Sequence, residues 1–223
     1  MGADGVLEWL AENRRKVLLV AACSKRKRTD REIERLGPPA AGRPLRDLSE
    51  ELSALLEEYR ACVLASRASA LDRGSKPYPA CYRYCGRFYE EAGLRAWLEA
   101  EARGYRVAIL SALYGFLRPM EPIQYYNLSM AEVPARCKRA LPRALDALRE
   151  VLGLEAAVFM TSKTYFEPFA HLGYAYRLAV REPRAREDPY CARYYAIMGK
   201  VFRGLATGSL GALGRVKVVL SKR

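Results

Sequence analysis

The sequence predicts an α/β fold, a mostly parallel sheet flanked by helices. Three observations support this prediction. Short apolar runs recur along the chain, stretches with helical periodicity separate them, and an apolar content of 51% is typical of a folded globule. Apolar runs without polar alternation indicate strands buried on both faces, and strand–helix alternation produces a parallel sheet covered by helices.

The predicted strands are five runs of five or six residues each. They lie at 17–22, 106–111, 156–161, 176–180 and 216–220. Helical patterns lie between them at 45–58, 78–103, 131–152 and 189–205. A chain of 223 residues falls within the usual size of one domain, so we predict a single α/β domain over residues 1–223.

The stretch 31–77 departs from the strand–helix alternation. It contains Gly-Pro-Pro, Gly-Arg-Pro and Gly-Ser-Lys-Pro, which are turn-forming sequences, and it separates the first strand from the next clear strand–helix pattern. We interpret it as a helical insertion on the α/β body.

The charge balance points to an anionic partner. Thirty-eight Lys and Arg against 25 Asp and Glu give a net charge of +13, which attracts polyanions. A nucleic acid or a phosphorylated small molecule is the expected partner, and a generally charged, solubilising surface is the alternative. The chain has no apolar run long enough for a membrane span and no recognisable secretory signal, so we expect a cytoplasmic protein without a membrane partner.

The amide and cysteine contents lead to expectations about thermal adaptation, disulfides and metal sites. Only two Asn and one Gln accompany many ionic residues, which is typical of thermophile proteins. In an ordinary cytosol the cysteines would be thiols, but hyperthermophile cytosols tolerate disulfides, and the sequence leaves the pairing open. Without a CxxC pair and with a single His, we expect no metal site, and we expect no cofactor. The six cysteines are Cys23, Cys62, Cys81, Cys85, Cys137 and Cys191.

The first predicted strand leads directly into a strongly basic loop. Ser24 is followed by four consecutive cations, and ligand sites in open α/β sheets gather at the carboxyl ends of strands. Backbone N–H groups, a hydroxyl and ammonium groups together suit an anion, so Ser24, Lys25 and Lys27 are predicted ligand-binding residues. A basic turn at the protein edge is the alternative. Cys23 and Lys25 are the candidate catalytic groups, although Cys23 serves equally well as a buried structural thiol.

The segment after the second predicted strand is the most informative one. Gly115 permits a tight turn, and Arg118 suits bidentate recognition of a phosphate or carboxylate. Tyr114 and Tyr126 can stack on a base or hydrogen-bond a sugar. A structural loop stiffened by proline is the alternative, with Glu121 as the acidic partner of Arg118.

This segment resembles the YaaA peroxide-stress family, whose members carry LYG-x-L-R-P, then an acidic residue, I and Y-x-L-x-M. The matching residues are Leu113, Tyr114, Gly115, Leu117, Arg118, Pro119, Ile123, Tyr126, Leu128 and Met130. Downstream, residues 161–166 resemble the family's A-S-N-E-Y-F. The opening CSKRK differs from the usual S-P-A-K and is similar to a YaaA-like branch.

The resemblance implies a YaaA-like fold, binding of DNA in preference to RNA, and protection against oxidative damage. The polar segment after the third predicted strand adds Ser162, which matches the family's motif, and Lys163 to the predicted ligand cleft. The resemblance also gives the insertion 31–77 a helix-hairpin-helix-like character, with Arg43 and Arg46 as DNA contacts.

We expect the first three predicted strands to be neighbours with their carboxyl ends at one edge of the sheet. Their loops would then bring Lys25, Arg118 and Lys163 within reach of one anion.

A weaker resemblance links residues 23–25 and 111–121 to the core domain of archaeosine synthase. It implies an enzyme acting on a nucleobase or nucleotide, such as a modified base in tRNA or DNA. A third class is an interaction protein whose basic surface binds RNA non-specifically. The sequence alone does not separate these classes, because every residue of the predicted cleft serves binding as well as catalysis.

Overall fold

A computed structural model describes residues 3–180, 192–213 and 218–222 of the chain. Predictions for residues 181–191 and 214–217, which include Cys191 and the first two residues of the fifth predicted strand, lie outside the described residues. The strands are β1 (Val17–Ala22), β2 (Tyr78–Pro79), β3 (Arg106–Ser111), β4 (Gly115–Leu117), β5 (Pro122–Ile123), β6 (Ala156–Met160), β7 (Ala175–Val180) and β8 (Val218–Ser221).

The helices alternate with these strands along the chain. They are α1 (Ala3–Glu12), α2 (Asp30–Glu34), α3 (Glu50–Ser66), α4 (Ala80–Arg83), α5 (Arg87–Ala92), α6 (Leu94–Ala102), α7 (Ala135–Lys138), α8 (Ala140–Leu152), α9 (Lys163–Phe166) and α10 (Ala192–Thr207). Short 3-10 turns connect several of them. Within the described ranges, none of the helices combines the length and apolar character that a bilayer crossing requires.

The strands form a six-stranded sheet in the order β4-β3-β1-β6-β7-β8 and a small β2-β5 pair. β1 and β7 both run parallel to β6, whereas β4 and β8 add to the sheet in antiparallel orientation. All six residues of β1 are buried, as expected for a strand that is covered on both faces. The predicted α/β class is confirmed, and β3, β1 and β6 are adjacent as expected.

The chain divides into two compact units. The first unit comprises Met1–Ala21, Arg87–Val107 and Leu154–Arg223. Its core includes Trp97 of α6 and Phe202 of α10, whose ring centroids lie 4.6 Å apart. Phe88 and Tyr89 of α5 pack against the same indole ring. Four aromatic rings therefore bury a large apolar area between these three helices.

The second unit comprises Ala22–Gly86 and Ala108–Gly153. Ser49 caps α3 by accepting a hydrogen bond from the Leu52 N–H, and the apolar face of α3 packs against α8. A disulfide between Cys62 and Cys137 links α3 to α7. The pairing that the sequence left open is therefore resolved for these two cysteines.

The secondary structure predicted from sequence periodicity was least accurate over residues 78–103. A single helical pattern was predicted there, but the structure contains β2, α4, α5 and α6. Gly93, with a φ of 75°, separates α5 from α6, because a helix cannot continue through a positive φ. The predicted insertion 31–77 lies in the second unit and includes α3. The single-domain organisation and the helix-hairpin-helix-like character remain predictions.

Candidate functional site

The basic loop between β1 and α2 is held at both ends by backbone hydrogen bonds. The Cys23 N–H donates to the Leu110 carbonyl over 3.0 Å, so the loop starts beside the end of β3. Further along, Lys27 and Tyr84 form an antiparallel bridge. Thr29 closes the loop as the N-cap of α2 in a reciprocal capping box with Glu32. The loop is therefore ordered before any ligand binds.

Neighbouring cations in this loop have different environments. Lys25 and Arg26 are exposed, Ser24 is half-buried, and Lys27 is only 8% exposed. Ser24 packs closely against Gly86, where a Cβ atom would collide with the Ser24 hydroxyl. This contact contributes to the partial burial of Ser24. The four consecutive cations of the sequence thus present two charges to solvent and bury a third.

The Lys27 amine lies in an aromatic cage. Its Nζ donates to the Ser24 carbonyl over 2.8 Å and lies 3.8 Å from the centroid of the Tyr126 ring. The Tyr84 ring centroid is 5.6 Å away. Cation–π attraction compensates part of the cost of burying an ammonium group. Burial nevertheless lowers the pKa of Lys27 from 10.5 to about 8, with nearby thiols opposing this shift and Arg83 adding to it.

A chain of hydroxyl groups lies beside the cage. The Tyr126 hydroxyl is 2.9 Å from the hydroxyl of Tyr84 and 2.9 Å from that of Ser111. The Ser111 oxygen also accepts the N–H groups of Leu113 and Tyr114, which fixes the turn after β3. Burial raises the pKa of both tyrosines well above 10, so they act as neutral hydrogen-bonding groups.

Together, Lys27, Tyr84, Tyr126 and Ser111 form the Lys27 cluster. Sequence reasoning selected Lys27 and Tyr126 but missed Tyr84 and Ser111. The available signals were the position of Ser111 at the end of a predicted strand and the Y-x-G-x-F string that starts at Tyr84.

Tyr114 and Gly115 form the turn from β3 to β4. The Tyr114 hydroxyl accepts the Gln124 N–H over 3.2 Å, and the Arg60 guanidinium lies 4.7 Å from the Tyr114 ring centroid. Gly115 has a φ of 74°, and a Cβ there would lie 2.9 Å from a methyl group of Leu56. Both the left-handed conformation and the close approach of α3 therefore require glycine.

Arg118 lies beyond the antiparallel strand β4. Leu117 is opposite Ile109, so the chain at this point has turned back from the carboxyl end of β3. The buried Glu121 carboxylate accepts the backbone N–H of Arg118 and that of Leu45. Burial raises the pKa of Glu121, and the two hydrogen bonds, which lower it, offset only part of this effect. Glu121 thus partners the backbone of this loop and connects it to the segment before α3.

The remaining predicted ligand residues lie in different places. Arg43 and Arg46 are exposed in the second unit, before α3. Ser162 and Lys163 belong to the first unit, where Ser162 is the buried residue preceding α9 and Lys163 is exposed. Of the predicted set, the structure brings together four residues of the second unit: Lys27 contacts Ser24 and Tyr126, and the Tyr114 ring lies edge-on to Tyr126 with centroids 5.8 Å apart.

The lowered pKa of Lys27 predicts a pH-dependent stability. Between pH 8 and 10.5 the unfolded chain binds a proton that the folded chain has released, so stability rises with pH in that window. Relative to Lys27→Met, we expect wild type to gain roughly 2 kcal/mol in unfolding free energy between about pH 7 and 9.5. Denaturant unfolding at several pH values measures this gain. Lys25→Met, at an exposed position, should track wild type, and a Lys27→Met curve parallel to wild type would contradict the prediction.

The fold and site together define an α/β protein with a basic loop above a buried lysine–tyrosine cluster. The family model for the peroxide stress protein YaaA matches residues 39–207. This range covers most of the chain, and the chain therefore belongs to the YaaA peroxide stress protein family. The resemblance seen in the sequence motifs is thus confirmed.

Two curated relatives are similar over a shorter range. The UPF0246 protein lpg1366 of Legionella pneumophila strain Philadelphia 1 is 36% identical over 89 residues, which cover 39% of this chain and 33% of that protein. The UPF0246 protein lpp1320 of strain Paris matches to the same extent. The chain spans about a third of the length of these relatives.

Proposed function

We propose that this chain acts in peroxide-stress protection by binding nucleic acid, DNA in preference to RNA, through exposed cations of the second unit. The observation that carries the proposal is the loop after β1, which presents Lys25 and Arg26 to solvent at the carboxyl end of a parallel strand. Family membership supports the stress-protection part.

The environment of these cations favours a polyanion. In the part of the chain that the structure describes, Lys25, Arg43 and Arg46 form no ion pair with a carboxylate. The Lys25 charge acts on Glu132 and the Arg46 charge on Glu121, but cations outside ion-pair distance of a carboxylate keep their N–H groups available for phosphates. Each phosphate contact releases condensed counterions, which supplies sequence-independent affinity. A net charge of +13 adds long-range attraction.

A phosphorylated small molecule is the competing ligand for the same loop. A single phosphate needs a few converging donors, whereas a duplex needs cations spread over a wider surface. The exposed positions of Arg43 and Arg46, outside the loop, favour the duplex. Salt dependence separates the two ligands, because only a polyelectrolyte releases many counterions.

We expect the affinity for a labelled DNA duplex to fall steeply with salt. The slope of log affinity against log salt is about −0.9 per phosphate contact, so several contacts should reduce binding by orders of magnitude between about 50 and 200 mM salt. Fluorescence anisotropy measures this slope, with a single-stranded RNA of equal length as comparison. Absence of binding at low salt would overturn the proposal and leave the small phosphorylated ligand.

Charge reversal locates the contact surface. The double variant Lys25→Glu, Arg26→Glu should reduce the magnitude of the slope of log affinity against log salt by about 2. This is the change expected when two phosphate contacts are lost. Lys200→Glu with Arg203→Glu, two exposed positions on α10, makes the same change in net charge and serves as the matched control. Equal effects of the two variants would mean that net charge alone drives binding.

The insertion is tested in the same assay with a triple variant that reverses the exposed Arg43, Arg46 and Arg73. Exposed charge changes normally alter stability little, so folding should be retained. Unchanged affinity in this variant would place the DNA surface on the loop after β1 alone.

A further inference from the structure

The amine of Lys27 is unusual because it is buried without a carboxylate counterion among the described residues. Among the residues that the structure describes, no carboxylate lies within ion-pair distance of Nζ. Nζ donates to the Ser24 carbonyl oxygen and lies against the faces of two tyrosine rings, and the Cys23 and Cys85 thiols are near enough to act on its charge. A structural lysine would be expected to reach a carboxylate or solvent, and this one does neither.

The two tyrosine faces favour the ammonium form of Lys27, whereas burial favours the neutral form, so the site accommodates both. A neutral amine needs one acceptor for an N–H, which Ser24 supplies, and keeps a lone pair. Burial lowers the pKa of Lys27 to about 8, so a substantial fraction is unprotonated slightly above neutral pH. Lysines desolvated in this way are nucleophiles towards carbonyl compounds.

We propose that Lys27 is a nucleophilic amine that condenses with an aldehyde carried by damaged nucleic acid, an inference that rests on the proposed function. The exposed Lys25 and Arg26 immediately precede the amine in the loop and would hold the phosphates on either side of a damaged sugar. The half-buried Ser24, whose carbonyl accepts from Nζ, packs against the half-buried Gly86 beside the cluster. An opened deoxyribose at an abasic site carries such an aldehyde.

The reaction balances without an oxidant, a reductant or a cofactor. The Lys27 lone pair attacks the carbonyl carbon, and one amine proton is transferred to the carbonyl oxygen to give a carbinolamine. The hydroxyl group then leaves as water with a second proton, and a C=N bond forms. In its protonated form the imine keeps one N–H, which can still donate to the Ser24 carbonyl.

Reductive trapping tests the proposal. The protein is incubated with cyanoborohydride and a duplex that contains one abasic site, and the covalent adduct is located by peptide mass spectrometry. We expect the adduct on Lys27, at a rate that rises towards about pH 8. Lys27→Met should form at least about tenfold less adduct, because it keeps the length of the side chain but has no nucleophile. Lys200→Met, which removes an exposed amine on α10 outside the proposed contact surface, is the matched control and should still form the adduct.

Further trapping and binding experiments distinguish failure of this inference from failure of the proposed function. An adduct on another lysine, or equal trapping by Lys27→Met, overturns the proposal. Peptide mapping on wild type gives the same decision if Lys27→Met does not fold. Binding of an intact duplex without any trapped abasic duplex overturns this inference and leaves the proposed function intact. Trapping of glyceraldehyde 3-phosphate on Lys27 without any DNA binding overturns nucleic acid as the aldehyde source, and the proposed function with it.

Discussion

Replacement of Arg83 by methionine is expected to lower the free energy of unfolding by about 3 kcal/mol, because it removes a fully buried arginine from an ion pair with the partly exposed Asp30. The Arg83 side chain is fully buried and lies 2.8 Å from a carboxylate oxygen of Asp30. It also donates to the carbonyls of Arg28 and Lys76, at 2.7 and 2.6 Å. Methionine fills part of the volume but leaves one carboxylate and two carbonyls without these donors.

Two measurements distinguish this effect from general disruption. Burial opposes ionisation of Asp30, but hydrogen bonds from Lys76 and Arg83 hold the pKa of Asp30 below its usual value, so its pKa should rise in Arg83→Met. The control is Arg87→Met, where an exposed arginine pairs with Glu90 one turn along α5. Such a pair contributes at most about 1 kcal/mol. Similar melting temperatures for the two variants would show that the Arg83 network does not stabilise the second unit.

Removal of the Cys62–Cys137 disulfide is the second large effect. The two cysteines are 75 residues apart, and a cross-link over a loop of that length restricts the unfolded chain strongly. The chain-entropy model gives a stabilisation of about 4 kcal/mol. We therefore expect Cys62→Ala with Cys137→Ala to melt well below oxidised wild type in thermal unfolding followed by circular dichroism.

Reduction of wild type provides an independent check, because it should give most of the same loss without any mutation. Cys81→Ala is the control, since it removes a buried thiol that lies outside the disulfide. That change creates a small cavity and should cost only about 1 kcal/mol. If the double variant and reduced wild type melt like oxidised wild type, the cross-link does not contribute to stability.

The strands that form the centre of the sheet could be predicted from sequence. Residues 17–22 and 106–111 were predicted, and β1 and β3 have these bounds. Both are short apolar runs without polar alternation, which are typical of strands in a sheet that is covered on both faces. The region 78–103 could not be predicted, because aromatic residues at helical spacing continue across Gly93, where the backbone turns.

The disulfide and the Glu121 contacts illustrate what local sequence lacks. Cys62 lies in α3 and Cys137 in α7, and no spacing rule relates the two cysteines. Glu121 was considered as a partner for the Arg118 charge, and that charge does act on it. Its carboxylate also accepts the backbone N–H groups of Arg118 and Leu45, which local sequence did not indicate. Both arrangements depend on how α3 and the segment before it pack in the second unit.

The sequence by itself determined the fold class, the family and the position of a basic loop after the first strand. Those properties follow from local patterns: apolar periodicity, a long motif and a run of like charges. Only the tertiary structure decided that Lys25 remains in solvent while Lys27, two residues further on, is enclosed by Tyr84 and Tyr126. The physical reason is that burial changes the chemistry of an amine, and the residues that bury Lys27 come from distant parts of the chain.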